Sequence, residues 1–208
     1  DVVTVEDNKI TAVGIGTTYV KIIDSTNKIY GTVKVNVNAD DGVTYPKVVG
    51  GYSHFVALKS DGTVWTWGYN GYGQLGTGDN INKAMPAKVM DIENAIDISV
   101  GSYNTVVVKD DGTVWSFGYN GYGQLGDGTS SSRNTPVQVI KQDGKPLEKI
   151  VKISAGTNKT IALDENGHVW VWGNTYKSTA TKLSTVNNAI DISPSYVVTQ
   201  TGKVYTLE

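Results

Sequence analysis

The chain has 208 residues, 39% of them hydrophobic, with 18 Lys and Arg against 20 Asp and Glu for a formal net charge of −2, and it has no cysteine. That is room for one or two domains with a real core, while the near balance of charge excludes the strong field that grips nucleic acid or an anionic membrane. The lack of cysteine excludes disulfides, thiol catalysis and Cys-ligated zinc, and no apolar run approaches the ~20 residues of a spanning helix, so no membrane insertion is expected.

The first 38 residues read as four short strands: Val2–Val5, Lys9–Val13, Thr17–Asp24 and Thr32–Val37. Val33, Val35 and Val37 alternate with Thr32, Lys34 and Asn36, the pattern of a sheet covered on one face. Residues 39–46, polar and ending in Pro46, read as a linker to a second region at 47–208. Asp40-Asp41-Gly42 does not make a calcium loop, because a Gly at the sixth position would put Val37 and Ala39 at ligand positions.

From there the sequence repeats. The nine residues GYNGYGQLG at Gly68–Gly76 return unchanged at Gly118–Gly126, each preceded by an aromatic strand (Val64-Trp65-Thr66-Trp67 and Val114-Trp115-Ser116-Phe117) and an Asp-Gly pair. Trp65 and Trp115 stand 50 residues apart; a degenerate third copy carries Trp170 and Trp172 without the Gln-Leu-Gly tail, and a fourth runs from Asn188 to Tyr205. Periods of this size mean stacked supersecondary units that cannot bury their apolar faces alone. Within one period, Val56/Leu58, Val106/Val108 and Ile161/Leu163 alternate at period two and lead into Asp-Gly or Asn-Gly hairpin turns. Strands at Ala95–Val100 and Ile150–Ala155 before the hairpin, and at Ala87–Met90 and Val137–Ile140 after it, complete four antiparallel strands without a helix. The expected fold is all-β: a partial β-propeller of four-stranded blades, three repeats plus a degenerate fourth.

The stretches Gly51–Gly76 (GYSHFVALKSDGTVWTWGYNGYGQLG) and Gly101–Gly126 resemble the repeat of the regulator of chromosome condensation family. That resemblance implies a propeller, a structural hydrogen bond for His54 and, as the alternative to a binding module, a guanine-nucleotide exchange or chromatin-type regulator. The run NKITAVGIGTT, Asn8–Thr18, with Val33–Val37 behind it, resembles the C-terminal part of a group 2 bacterial Ig-like domain. It implies an N-terminal Ig-like β-sandwich fragment and hence a secreted, modular, bacterial cell-surface protein whose sequence here begins inside a longer chain.

Chemistry-bearing motifs are few. Gly71-x-Gly73-x-x-Gly76 and its copy match a dinucleotide fingerprint in letters only, since loops rather than helices follow. The five tryptophans on strand positions read as inter-blade core. His54 and His168 fall at different repeat positions, and Glu6, Glu93, Glu148 and Glu165 form no acid–base set, so neither enzyme activity, a metal site nor a cofactor is expected. What stands out is Tyr69, Asn70, Tyr72, Tyr119, Asn120 and Tyr122, contact-prone residue types on repeated loops, with Tyr52 and Tyr103 on another turn as a second choice. The expected partner is a protein or polysaccharide, and three and a half blades of a ring that closes with about seven are expected either to belong to a longer propeller or to self-associate through open blade edges.

Overall fold

The computed structural model describes residues 3–6, 9–12, 16–23, 29–37, 44 and 46–207. It divides into two compact units, Asp1–Val43 and Thr44–Glu208. In the first unit, β1 (Val3–Glu6) pairs antiparallel with β2 (Lys9–Ala12), and β3 (Gly16–Ile23) with β4 (Ile29–Val37), each as its own two-stranded sheet. Asp40-Asp41-Gly42 and most of the expected linker lie outside the described residues.

The second unit is a row of antiparallel blades. The first comprises β5 (Lys47–Gly50), β6 (His54–Leu58), β7 (Val64–Gly68) and β8 (Lys83–Lys88); the second β9 (Ala95–Val100), β10 (Asn104–Lys109), β11 (Val114–Gly118) and β12 (Arg133–Gln138). The third comprises β13 (Ile150–Ala155), β14 (Lys159–Asp164), β15 (Val169–Gly173) and β16 (Thr181–Lys182), and the fourth has three strands, β17 (Ala189–Ile192), β18 (Tyr196–Thr199) and β19 (Val204–Thr206). Trp65, Trp115 and Trp170 face Ala57, Val107 and Ala162, the same ladder position in each blade.

The outer strands begin earlier than the sequence suggests, at Lys83 and Arg133 rather than Ala87 and Val137, and they contain Pro86 and Pro136. An edge strand needs only half of its N–H groups, so proline is tolerated there. The apolar residues that follow, Val89 and Val139, are fully buried plugs whose N–H groups donate to Val64 and Val114.

Blades lock at both ends. At the hairpin tips Gly62, Gly112 and Gly167 (φ +73°, +74°, +76°) abut Asn94, Lys149 and Asn188 of the next blade. Their carbonyls accept from Ala95, Ile150 and Ala189 at 3.0–3.1 Å. Apolar side chains fill the spaces between blades: Val56, Leu58, Val64, Ile98, Val107 and Phe117 between the first two, Val106, Val108, Val139, Ile153 and Trp172 between the second and third. Among the tryptophans only Trp172 is fully buried. Trp65 and Trp115 are half-buried because each indole N–H donates to a threonine hydroxyl, Thr63 or Thr113, at the blade rim. Trp115 and Trp170 still pack against the inter-blade clusters from the rim, so the reading of all five as core holds for Trp172 in full and for these two in part.

The first blade leaves one face uncovered. Phe55, 46% exposed, stacks on Trp67 at 5.6 Å between centroids, whereas the equivalent pairs Thr105 and Phe117, and Thr160 and Trp172, are buried against a neighbouring blade.

Candidate functional site

In the first two blades the loop after the third strand is built around one asparagine. Asn70 Oδ1 accepts from Leu75 N at 2.9 Å, while its Nδ2 donates to the carbonyls of Asp79 and Ile81. Asn120 repeats this with Leu125, Thr129 and Ser131. Both are fully buried. They therefore hold the loop's shape and cannot be ligand contacts, which corrects the sequence-based choice of both: a side chain wholly enclosed by its own loop offers no surface to a partner.

The rest of the scaffold uses the same positions with exchanged chemistry. In the first loop Asp79 binds Thr77 Oγ1 and Lys83; in the second Asp127 sits where Thr77 does and binds Thr129 and Arg133. The Lys83 bond leads in holding Asp79 below the usual carboxylate range. Burial would raise Asp127, but the bonds from Thr129 and Arg133 outweigh it and its carboxyl is also lowered. Both loops thus carry an internally neutralised carboxylate and present no net charge from it.

Gln74 and Gln124, buried, accept from the Tyr72 and Tyr122 N–H groups at 3.0 Å through their side-chain oxygens. Their own carbonyls accept from Thr105 and Thr160 of the next blade. The loop that displays a tyrosine is thereby clamped to the neighbouring blade. These glutamines support the site and went unnoticed in the sequence, where their identical placement in both copies was the available signal.

The tyrosines converge. Ring centroids step from Tyr52 to Tyr103 (5.6 Å), Tyr72 (5.3 Å), Tyr119 (5.0 Å) and Tyr122 (6.2 Å), with Tyr69 against both Tyr72 and Tyr103. The two loops chosen from sequence and the second-choice turn are thus one continuous aromatic ribbon with Tyr103 as its hub. Most contacts are tilted or edge-on, the favoured aromatic geometry. Tyr69 and Tyr119 fold back over Gly71 and Gly121 so closely that a Cβ at either glycine would overlap the phenol oxygen. Desolvation, then the neighbouring phenols, raises the Tyr103 hydroxyl above its ordinary pKa.

Tyr72, Tyr103, Tyr119 and Tyr122 line a cleft of about 240 Å³ closed by Thr157 and Asn158 of the third blade. A second hollow of about 270 Å³, where the inner-strand turns at Gly51, Gly101 and Gly156 meet, shares Tyr52 with the ribbon and Thr157 with the cleft. No lining side chain of the cleft is charged, and among the described residues no group of three metal-ligating side chains occurs. The two histidines stand apart: His54 Nε2 donates to the Thr105 hydroxyl of the next blade at 3.1 Å, since that hydroxyl's own proton goes to the Gln74 carbonyl, and His168 pairs with Asp164 at a hairpin tip.

The comparisons agree with the repeat. The model of the regulator of chromosome condensation (RCC1) repeat matches residues 61–108 and 111–163, and a second model of the same description matches 47–74, 95–124 and 150–177. The chain is 36% identical over 62 residues to the ultraviolet-B receptor UVR8 of Arabidopsis thaliana, covering 29% of this chain and 14% of that protein. It is 36% identical over 127 residues to the human E3 ubiquitin-protein ligase HERC2 (59% and 3%), and 27% identical over 128 residues to the guanine nucleotide exchange factor SRM1 of Saccharomyces cerevisiae (60% and 21%). Among solved structures, human WBSCR16 superposes with a TM-score of 0.66 at 17% identity over 83% of this chain. Prp20p of Saccharomyces cerevisiae, which has binding properties to Gsp1p and histones, superposes at 0.63 and 20% over 91%. This chain spans about half of those two structures, 55% and 53%.

Proposed function

Since residues 47–177 of this chain belong to the RCC1 repeat family, whose fold they share, we propose that the chain is a non-catalytic recognition module that binds a macromolecular ligand through the tyrosine-lined loop surface of its blades. The observation that carries the reading is the ribbon of six contacting tyrosines, drawn from four separate loops and held by buried amides. A rigid scaffold that fixes aromatic side chains before binding lowers the entropy lost on binding, and tyrosine is over-represented at such contacts. The Ig-like resemblance of residues 1–38 supports a further proposal, that the module belongs to a secreted bacterial surface protein with Ig-like spacers. The apolar face at Phe55 and Trp67 supports self-association through the first blade.

A second reading is favoured by the resemblance to Prp20p and SRM1: a propeller that regulates a GTPase or contacts chromatin. A pull-down and glycan-array screen with wild type, repeated with Tyr72→Ala and Tyr122→Ala together, tests the first reading. Binding that survives in a folded double mutant removes the ribbon from the site. Robust nucleotide exchange on a GTPase by the wild type replaces the first reading with the second.

A further inference from the structure

Resting on the proposal of a tyrosine-ribbon site, we infer that its occupant is a proline-rich peptide segment in the polyproline II conformation. Three features of the ribbon select that chemistry.

The first is charge. Tyr72, Tyr103, Tyr119, Tyr122, Thr157 and Asn158 line the cleft without a charged group, and the nearby carboxylates Asp79 and Asp127 are consumed by Lys83 and Arg133. A partner read by its charge has nothing to meet here.

The second is the hydrogen-bonding sense. Among the described residues the hydroxyls of Tyr52, Tyr69, Tyr72, Tyr103, Tyr119 and Tyr122 have no protein partner, which leaves a row of O–H donors on an apolar surface. Polyproline II is the conformer that matches it: its carbonyls make no internal hydrogen bond, and each proline contributes an acceptor and no N–H to be left unsatisfied.

The third is shape. The rings meet at interplanar angles of 59–68° along the ribbon from Tyr52 to Tyr122, so they form ridges with slots between them. Pyrrolidine rings fill such slots, which is how aromatic grooves read proline-rich segments. A hexose would instead need a ring face lying open and flat, flanked by side chains that pair with its vicinal hydroxyls. The centroid path of 5.6, 5.3, 5.0 and 6.2 Å bounds the groove at roughly 22 Å, the length of about seven residues at ~3.1 Å each.

The preformed conformer also costs little to order on binding. Because the contact is uncharged, its affinity should scarcely change with salt.

The test is panning of the intact 208-residue chain against a displayed dodecapeptide library, followed by titration of a deca-proline peptide and of cellohexaose, observed by NMR. The expected result is enrichment of peptides with prolines spaced one turn apart, and saturable, salt-insensitive shifts with deca-proline. Binding should weaken by about tenfold or more in Tyr72→Ala/Tyr122→Ala and by a smaller factor in Tyr72→Phe/Tyr122→Phe, which keeps the rings and loses the donors. Selected peptides that depend on the two tyrosines but lack proline overturn the inference and leave the ribbon as a binding site. Shifts with cellohexaose and none with deca-proline also overturn it, in favour of a glycan. Peptides that bind the double variant as well as wild type overturn both the inference and the site.

Discussion

Burial holds the His54 imidazole at a pKa of about 4, against an ordinary value of 6.5, while its Nε2 meets Thr105 across the blade interface. The folded-state pKa is the lower one, so between the two values the unfolded chain takes up a proton that the native state refuses. The stability that His54 contributes is whole above the ordinary imidazole pKa and drains as pH falls toward 4, by roughly 3 kcal/mol at most. Asn104 occupies the same position in the second blade and does not titrate. His54→Asn should therefore flatten the acid limb of the stability curve, read by urea unfolding at neutral pH and just above pH 4; a limb unchanged in slope would show that other groups cause it. The tyrosines invite a second test at this scale. In Gly71→Ala/Gly121→Ala the new methyl groups displace the tips of Tyr69 and Tyr119, which are flexible, so the fold should lose less than about 1 kcal/mol. Ligand binding should fall several-fold because the rings no longer wait in place. Unchanged affinity in that variant would mean that the glycines matter for the loop alone.

At the level of the element, the Gln-Leu-Gly segment is the fastener. Thr105 and Thr160 donate to the carbonyls of Gln74 and Gln124, and Gly76 and Gly126 lie against the rings of Phe117 and Trp172. Thr105→Val keeps the shape and strips a hydroxyl from both Gln74 O and His54 Nε2, two buried groups left without it; a loss of about 2 kcal/mol in chemical denaturation is expected. Gly126→Ala adds a Cβ 2.8 Å from the Trp172 indole at φ +71° and should cost more, since neither ring nor backbone can yield cheaply. A variant of either kind with wild-type stability would mean that the clamp is ornamental. Much of this architecture was legible in the letters: strand alternation, hairpin pairs and the repeated nonapeptide specify four-stranded blades. The site was only half legible. Tyr69 and Asn70 are neighbours in sequence, yet one is exposed and the other fully buried, because an irregular loop has no period from which to assign a face. Nor does a local pattern tell that Tyr52 and Tyr103, from the inner turns, meet Tyr72, since that juxtaposition is made by stacking whole blades.

For the propeller unit as a whole, stability is close to a sum of interfaces between neighbouring blades, as in other repeat proteins. Those interfaces differ. The first two have both locks, the hairpin-tip contact and the Gln-Leu-Gly clamp. Of these two locks the third interface keeps the tip, Ala189 N to Gly167 O, beside an apolar cluster and the bond from Lys159 Nζ to Leu207 O, because the chain after Gly173 closes in a tight turn with Gly173 N bonded to Lys177 O and no Gln-Leu-Gly clamp reaches the fourth blade. That blade also has three short strands, with Ile190, Tyr196 and Val204 largely exposed, while every residue of β10 from Asn104 to Val108 is buried in the second blade. Opening should therefore proceed from the fourth blade inward. Native-state hydrogen exchange in low denaturant would report it: amides of β18 and β19 should exchange through a partial opening that costs less than global unfolding and exposes less surface, and amides of β10 only through global unfolding. Restoring a clamp in the third repeat, by replacing the turn after Gly173 with the loop Gly118–Gly126 carries, should draw the two classes together. Equal protection of β10 and β18 in the native chain would mean that the tip contact and the apolar packing of Ile161, Val171, Ala189 and Val197 couple the blades without a clamp, and that the clamp serves the tyrosine surface rather than the fold.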